Sequence, residues 1–175
     1  MAEKILTMYL GVYGNEADAQ TDYGLLKRLH KAEEIGTYDA AIVSRAADGK
    51  VKVHRHDKPA EHGAWAGLVA GGMVGLIFPP AMIVTGAVGA AAGGAIGGHL
   101  RKGMSHGDLT QLGEEIDPGQ AAMVIVSVDP LDRFLDELFE KAERRITTTL
   151  GASADDLSEA VEQHQADQPT GADES

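Results

Sequence analysis

Residues Ala121 to Val128 read AAMVIVSV. A charge-free run of this length, rich in apolar and β-branched side chains, is too apolar to stand uncovered. It is the most strongly apolar strand of the chain and belongs at the centre of a sheet. Signals on either side frame it. Asp117-Pro118-Gly119 is a turn before it. After it, Asp129 is a good N-cap and Pro130 suits the first turn of a helix. That helix is expected to run to about Arg144, burying Leu131, Phe134, Leu135, Leu138 and Phe139. Arg145 to Leu150 alternates as a further strand. Ser153 opens a last helix, with Asp156 as its capping-box-like partner. Gln165 to Ser175 is polar and acidic, the composition of a disordered tail.

The same signals recur toward the N-terminus. Ile5 to Tyr13 alternates as a strand and Gly14-Asn15 turns the chain. A helix follows to about Glu34, with Ala19, Tyr23, Leu26, Leu29 and Ala32 on one stripe and Gly36 as its stop. Tyr38 to Arg45 and Val51 to His56 read as strands joined by an Asp48-Gly49 turn. Asp108 to Ile116 reads as a short helix. Without the stretch in between, the first six elements run strand, helix, strand, strand, helix, strand. That order matches a ferredoxin-like α+β unit.

The stretch in between is Gly63 to Gly98. It holds no Asp, Glu, Lys, Arg or His across 36 residues. Pro79 and Pro80 divide it, because proline donates no backbone hydrogen bond and drives the preceding residue out of α. Two helices and a tight turn are expected. Gly63, Gly67, Gly71 and Gly75 recur every four residues, as do Gly89, Gly93 and Gly97. Gly86, Ala90, Gly94 and Gly98 form a parallel row. Residues four apart share a helix face, so these rows form grooves for another backbone. Each exposed helical glycine costs about 1 kcal/mol against alanine, so packing must repay the rows. At about 1.5 Å per residue the arms reach about 24 and 27 Å, short of a bilayer core of about 30 Å. A hairpin inserting from one side returns both ends to the same body, with Arg101 and Lys102 as flanking cations.

Composition narrows the function. Aromatic residues make up 5% of the chain and glycines number 22, so thin, closely packing elements replace a bulky core. Net charge is −12, which argues against nucleic acid and against electrostatic docking on anionic lipid. Cysteine is absent, removing disulfides, zinc–thiolate sites and thiol catalysis. The N-terminal stretch MAEKILTMYLGVYG has no signal-peptide pattern.

Motifs that carry chemistry are few. His54 and His56 share a strand face and with Asp57 are weak metal candidates, since a site needs three or four converging ligands. GGAIGG at Gly93 to Gly98 follows no strand and lacks GK[ST], so it is not read as a phosphate loop. Glu114, Glu115 and Asp117 read as a solvated loop, and Arg144-Arg145 as an ion-pair feature. No nucleophile stands beside a base with an orienting partner.

Four stretches together carry a resemblance. They are TYDAAIVSRAADGKVKVHRH (Thr37 to His56), the hairpin with its FPP turn (Phe78 to Pro80), LTQLGEEIDPGQAAMVIV (Leu109 to Val126) and RITTTLGASADDLSEAV (Arg145 to Val161). The chain resembles the bacterial domain-of-unknown-function family DUF1269, usually described as predicted membrane proteins, from about Ile5 to Val161. The resemblance implies a ferredoxin-like body, a membrane-related glycine-rich insert and no established activity. It brings no catalytic residues.

The expected organisation is a ferredoxin-like α+β body at 1–62 and 99–164, a glycine-zipper helical hairpin at 63–98 and an acidic tail at 165–175. The expected function is non-enzymatic and membrane-associated, with self-association through the hairpin and no cofactor. Its partners would be copies of itself and the bilayer. Its place would be the cytoplasmic side of the inner membrane, or otherwise the cytoplasm. The alternative is a soluble self-assembling ring, shell or filament with the hairpin buried between subunits. A ligand or metal sensor using His54 and His56 comes third.

Overall fold

The alternating runs pair into one six-stranded sheet, seen in a computed structural model that describes residues 5–54, 74–78, 82–85 and 111–153. Its strands are β1 (Ile5–Tyr13), β2 (Tyr38–Arg45), β3 (Val51–His54), β4 (Ile83–Thr85), β5 (Ala121–Ser127) and β6 (Arg144–Ser153). They lie in the order β4-β3-β2-β5-β1-β6. All neighbours are antiparallel except β3 and β4. The helices are α1 (Glu16–Lys31), α2 (Val74–Ile77) and α3 (Leu135–Leu138), the last preceded by a 3₁₀ turn at Asp132–Phe134. Residues 111–114 are also helical. The chain is therefore α+β.

β5 lies between β1 and β2 with all seven residues buried. Two cores explain this. On one face Tyr9, Tyr13, Ala40, Ile42, Met123 and Ile125 pack with Ala19, Tyr23 and Leu26 of α1 and with Leu138 and Phe139. On the other, Leu6, Met8, Leu10, Val12, Val43, Val51, Val124 and Val126 pack with Val74, Ile77, Phe78, Leu112 and Ile116. Each large apolar side chain fully removed from water contributes about 1.5–3 kcal/mol. The sheet is thus covered on both faces by its own chain.

Local chemistry sets the boundaries. The Asn15 side chain accepts from the Asp18 amide at 2.9 Å and caps α1. Glu16 and Asp18 in the first turn and Arg28, His30 and Lys31 in the last complement the helix dipole. α1 ends at Lys31, short of the expected Glu34, because Glu33 turns left-handed at φ 61°. Gly49 and Gly119 take positive φ in the turns before β3 and β5, where a side chain would be strained.

Three expectations need correction. The helix expected from Pro130 to Arg144 shrinks to the 3₁₀ turn and α3. The Asp22 carboxylate captures the Lys141 amide at 3.0 Å, taking it from the helical ladder. Asp132, Asp136 and Glu140, four apart, would also repel along a longer helix. Second, β6 extends to Ser153, past the expected strand end at Leu150, and the helix expected from Ser153 onward lies outside the described residues. Third, Ile83–Thr85 is a strand, although the second hairpin arm was expected to be helical from Ala81. Ile83, Val84 and Thr85 are β-branched, which favours extended chain.

Candidate functional site

The only described parts of the glycine-rich insert are α2 with Phe78, and Met82 with β4. They form its seat on the body. Val74, Ile77 and Phe78 are 0%, 2% and 3% exposed against the sheet. The Phe78 amide donates to Val74 O at 2.9 Å and closes the turn. β4 then adds to the sheet edge, setting Ile83 beside Val51 and Thr85 beside Lys52. Partly buried Met82 packs on the same core.

The returning segment locks against this seat. Leu112 and Ile116 bury four residues apart on the same face. Between them, a Cβ at Gly113 would lie 2.5 Å from Ile77 O, so glycine is what allows the two segments to touch. Two arginines gather the segment's final carbonyls. Arg45 Nη1 donates to Ile116 O at 2.7 Å, and Arg144 Nη2 donates to Glu115 O at 2.5 Å. Arg144 also pairs with the Glu115 carboxylate. This is the usual way cationic side chains satisfy carbonyls at a helix end. The side chains described at the seat, Val74, Ile77, Phe78 and Met82, are apolar, and none of them is an acid, base or nucleophile.

Residues 64–162 match the family DUF1269, described as proteins of unknown function, over more than half of the chain. The chain belongs to that family. No curated protein and no solved structure matches it. The matched stretch of this DUF1269 chain contains the described seat, the returning segment, β5 and β6. β1 to β3 precede it.

The other expected site residues fall as follows. Gly75 lies in α2. Gly63, Gly67, Gly71, Gly86, Gly89, Gly93 and Gly97, the turn prolines Pro79 and Pro80, His56, and the acidic tail lie outside the described residues. No described helix of the DUF1269 chain is long and apolar enough to cross a membrane. His54 Nε2 lies 2.9 Å from Ser44 Oγ and 3.3 Å from Glu16 Oε2. Serine and carboxylate thus share one ring nitrogen. A nucleophile relay needs the acid on the opposite nitrogen, so this cluster is a polar clasp between α1, β2 and β3. Among the described residues, no group of three metal-ligating side chains assembles. A shallow polar cavity of about 320 Å³ lies beside α3, lined by Asp136, Phe139, Glu140, Ala142, Glu143, Arg144 and Arg145. Its Arg145 is paired with Asp136 at 2.7 Å.

A buried polar pair holds the opposite face. Asp22 sits on the apolar stripe of α1 and is 4% exposed. Burial, then nearby Glu140, raises its pKa, partly opposed by the Lys141 amide and the Tyr13 hydroxyl. The Tyr13 hydroxyl is buried without an aligned hydrogen-bond partner. Its pKa is raised by burial first and by the Asp22 charge second. A carboxyl whose pKa is higher folded than unfolded is favoured while protonated. Its contribution is present below the ordinary carboxylate range and is lost as pH rises through the raised value. Asp22→Asn is therefore expected to flatten the loss of stability that this carboxyl causes as pH rises above the ordinary carboxylate range. Urea denaturation across that rise in pH checks this, and an unchanged slope would contradict it.

Proposed function

We propose that this protein is a non-enzymatic self-associating protein whose glycine-rich insert, rooted on the second face of the sheet, packs against copies of itself. The observation that carries this reading is the position of the segments flanking Pro79 and Pro80. A hairpin that enters a bilayer turn-first carries its turn at the far tip. Here the preceding α2 with Phe78 and the following Met82–Thr85 both lie on the body. That favours the soluble form of self-assembly over insertion at the cytoplasmic face of the inner membrane. The glycine rows supply the second support. Small residues four apart let backbones approach, and only packing offsets their helical cost.

The body is read as ferredoxin-like, with a different strand assignment from the one expected. The order β6-β1-β5-β2, with α1 after β1 and α3 before β6, supports a βαββαβ unit in which β5 is the third strand. β3 then becomes an added edge hairpin, and the insert an embellishment between the unit's second and third strands.

The test is a double variant, Gly71→Leu with Gly93→Leu, in the full chain. Leucine fills the groove that each row would leave. Light scattering without detergent is expected to show a smaller particle mass, with the far-ultraviolet circular dichroism of the body retained. An unchanged particle mass would refute packing through the insert.

A further inference from the structure

The two edges of the sheet differ. β4 forms one with three residues, and β6 forms the other with ten. Among the described residues, no strand pairs with β6 on its outer side. Exposed edges are ordinarily blunted by shortness, lysine, proline or a bulge. From Ile146 to Thr149, β6 carries no lysine, proline or register shift. Its register with β1 is unbroken from Arg144 to Thr149 and shifts only between Thr149 and Ser153. Ile146 to Thr149 carries no charge, and Thr147 and Thr149 are exposed. Every second residue of such an edge turns its N–H and C=O outward, and those groups are complementary to an extended backbone.

We propose that β6 pairs antiparallel with β6 of a second copy, about a two-fold axis at Thr147. A two-fold pairing is self-complementary, so one strand supplies both halves. Charge fits this occupant. Arg144 and Arg145 lie at one end of the strand, and antiparallel pairing sends the two sets to opposite ends of the joint. Within each copy they are also held by Glu115 and Asp136. The axis sets Thr147 opposite its own copy, Ile146 opposite Thr148 of the second copy, and Arg145 opposite its Thr149. Threonine and β-branched pairs across strands are favourable. The joint shares with the proposed function only the premise of self-association and does not use the insert.

The chain has no cysteine, which makes the test clean. Thr147→Cys in the full chain places one thiol at the axis, where facing strands lie within disulfide reach. Thr21→Cys, on the exposed side of α1, is the control. Under a mild oxidant the position-147 variant is expected to form linked dimers roughly tenfold faster than the control, through its high local concentration. Equal rates overturn the proposal, whether the edge is open or covered by residues 154–175. Thr147→Lys sets like charges face to face and is expected to weaken association about fivefold or more. Mixing it with Thr147→Glu is expected to restore association. Parent-like association of the lysine variant, with unchanged circular dichroism, also overturns the joint. Adding Thr147→Cys to the Gly71→Leu, Gly93→Leu chain separates the two interfaces. Rapid linking there keeps the β6 joint when insert packing is lost, and loss of linking overturns the joint as an independent contact.

Discussion

Phe78→Ala is expected to lower the unfolding free energy by about 3–5 kcal/mol. Phe78 is 3% exposed and completes the cover over the second face of the sheet. Its removal would leave a cavity among Val74, Ile77, Leu112 and the strand residues beneath. Val74, Ile77 and several strand residues of this core are β-branched and stiff at χ1, so collapse into the space is limited. Urea denaturation measures the effect. A loss within about 0.5 kcal/mol is what a surface position gives, and it would mean that Phe78 does not sit on the body. The same substitution in a bilayer-embedded tip would leave the unfolding of the body almost untouched.

The second large effect is a difference in sign. Gly24→Ala is expected to stabilise the protein by about 1 kcal/mol, whereas Gly113→Ala is expected to destabilise it by about 1–3 kcal/mol. Gly24 lies within α1, and a Cβ there meets nothing within 4 Å. Alanine then only gains helix propensity. At Gly113 the added carbon would meet the Ile77 carbonyl, a backbone atom that cannot rotate away. The returning segment would have to lift from α2. Matched thermal melts of the two variants check the prediction. A stabilising Gly113→Ala would show that the returning segment and α2 do not touch there.

How far the sequence foretold this arrangement depended on how local the cause was. The strands β1, β2 and β5 were legible because alternation and charge-free runs follow directly from burial, and the Asn15 cap because it acts within three residues. The length of α3 was not legible. Its end is set by Asp22, more than a hundred residues away in sequence, and no local pattern near Lys141 announces that contact. A signal did exist at Asp22 itself, an acid on the apolar stripe with Ala19, Tyr23 and Leu26. β4 was misread for a different reason. Its three β-branched residues sit inside a glycine and alanine run whose helical period is strong, and its partner β3 is remote. At the seat, the apolar pair Leu112 and Ile116 was readable at helical spacing. Gly113 and Arg45 were not, since the contacts that give them meaning, to Ile77 O and Ile116 O, exist only after folding. That the chain itself covers both faces was likewise hidden, since AAMVIVSV shows only that the strand is too apolar to stand uncovered.

The central claim is that the insert is rooted on the body and associates in water. The most direct measurement is the behaviour of the full chain without detergent. Lysate is cleared by ultracentrifugation, and the purified protein is sized by light scattering with and without micelles. The expected result is recovery in the supernatant as an oligomer of one mass in both buffers. Sedimentation with the membranes, with release only by detergent, would contradict it.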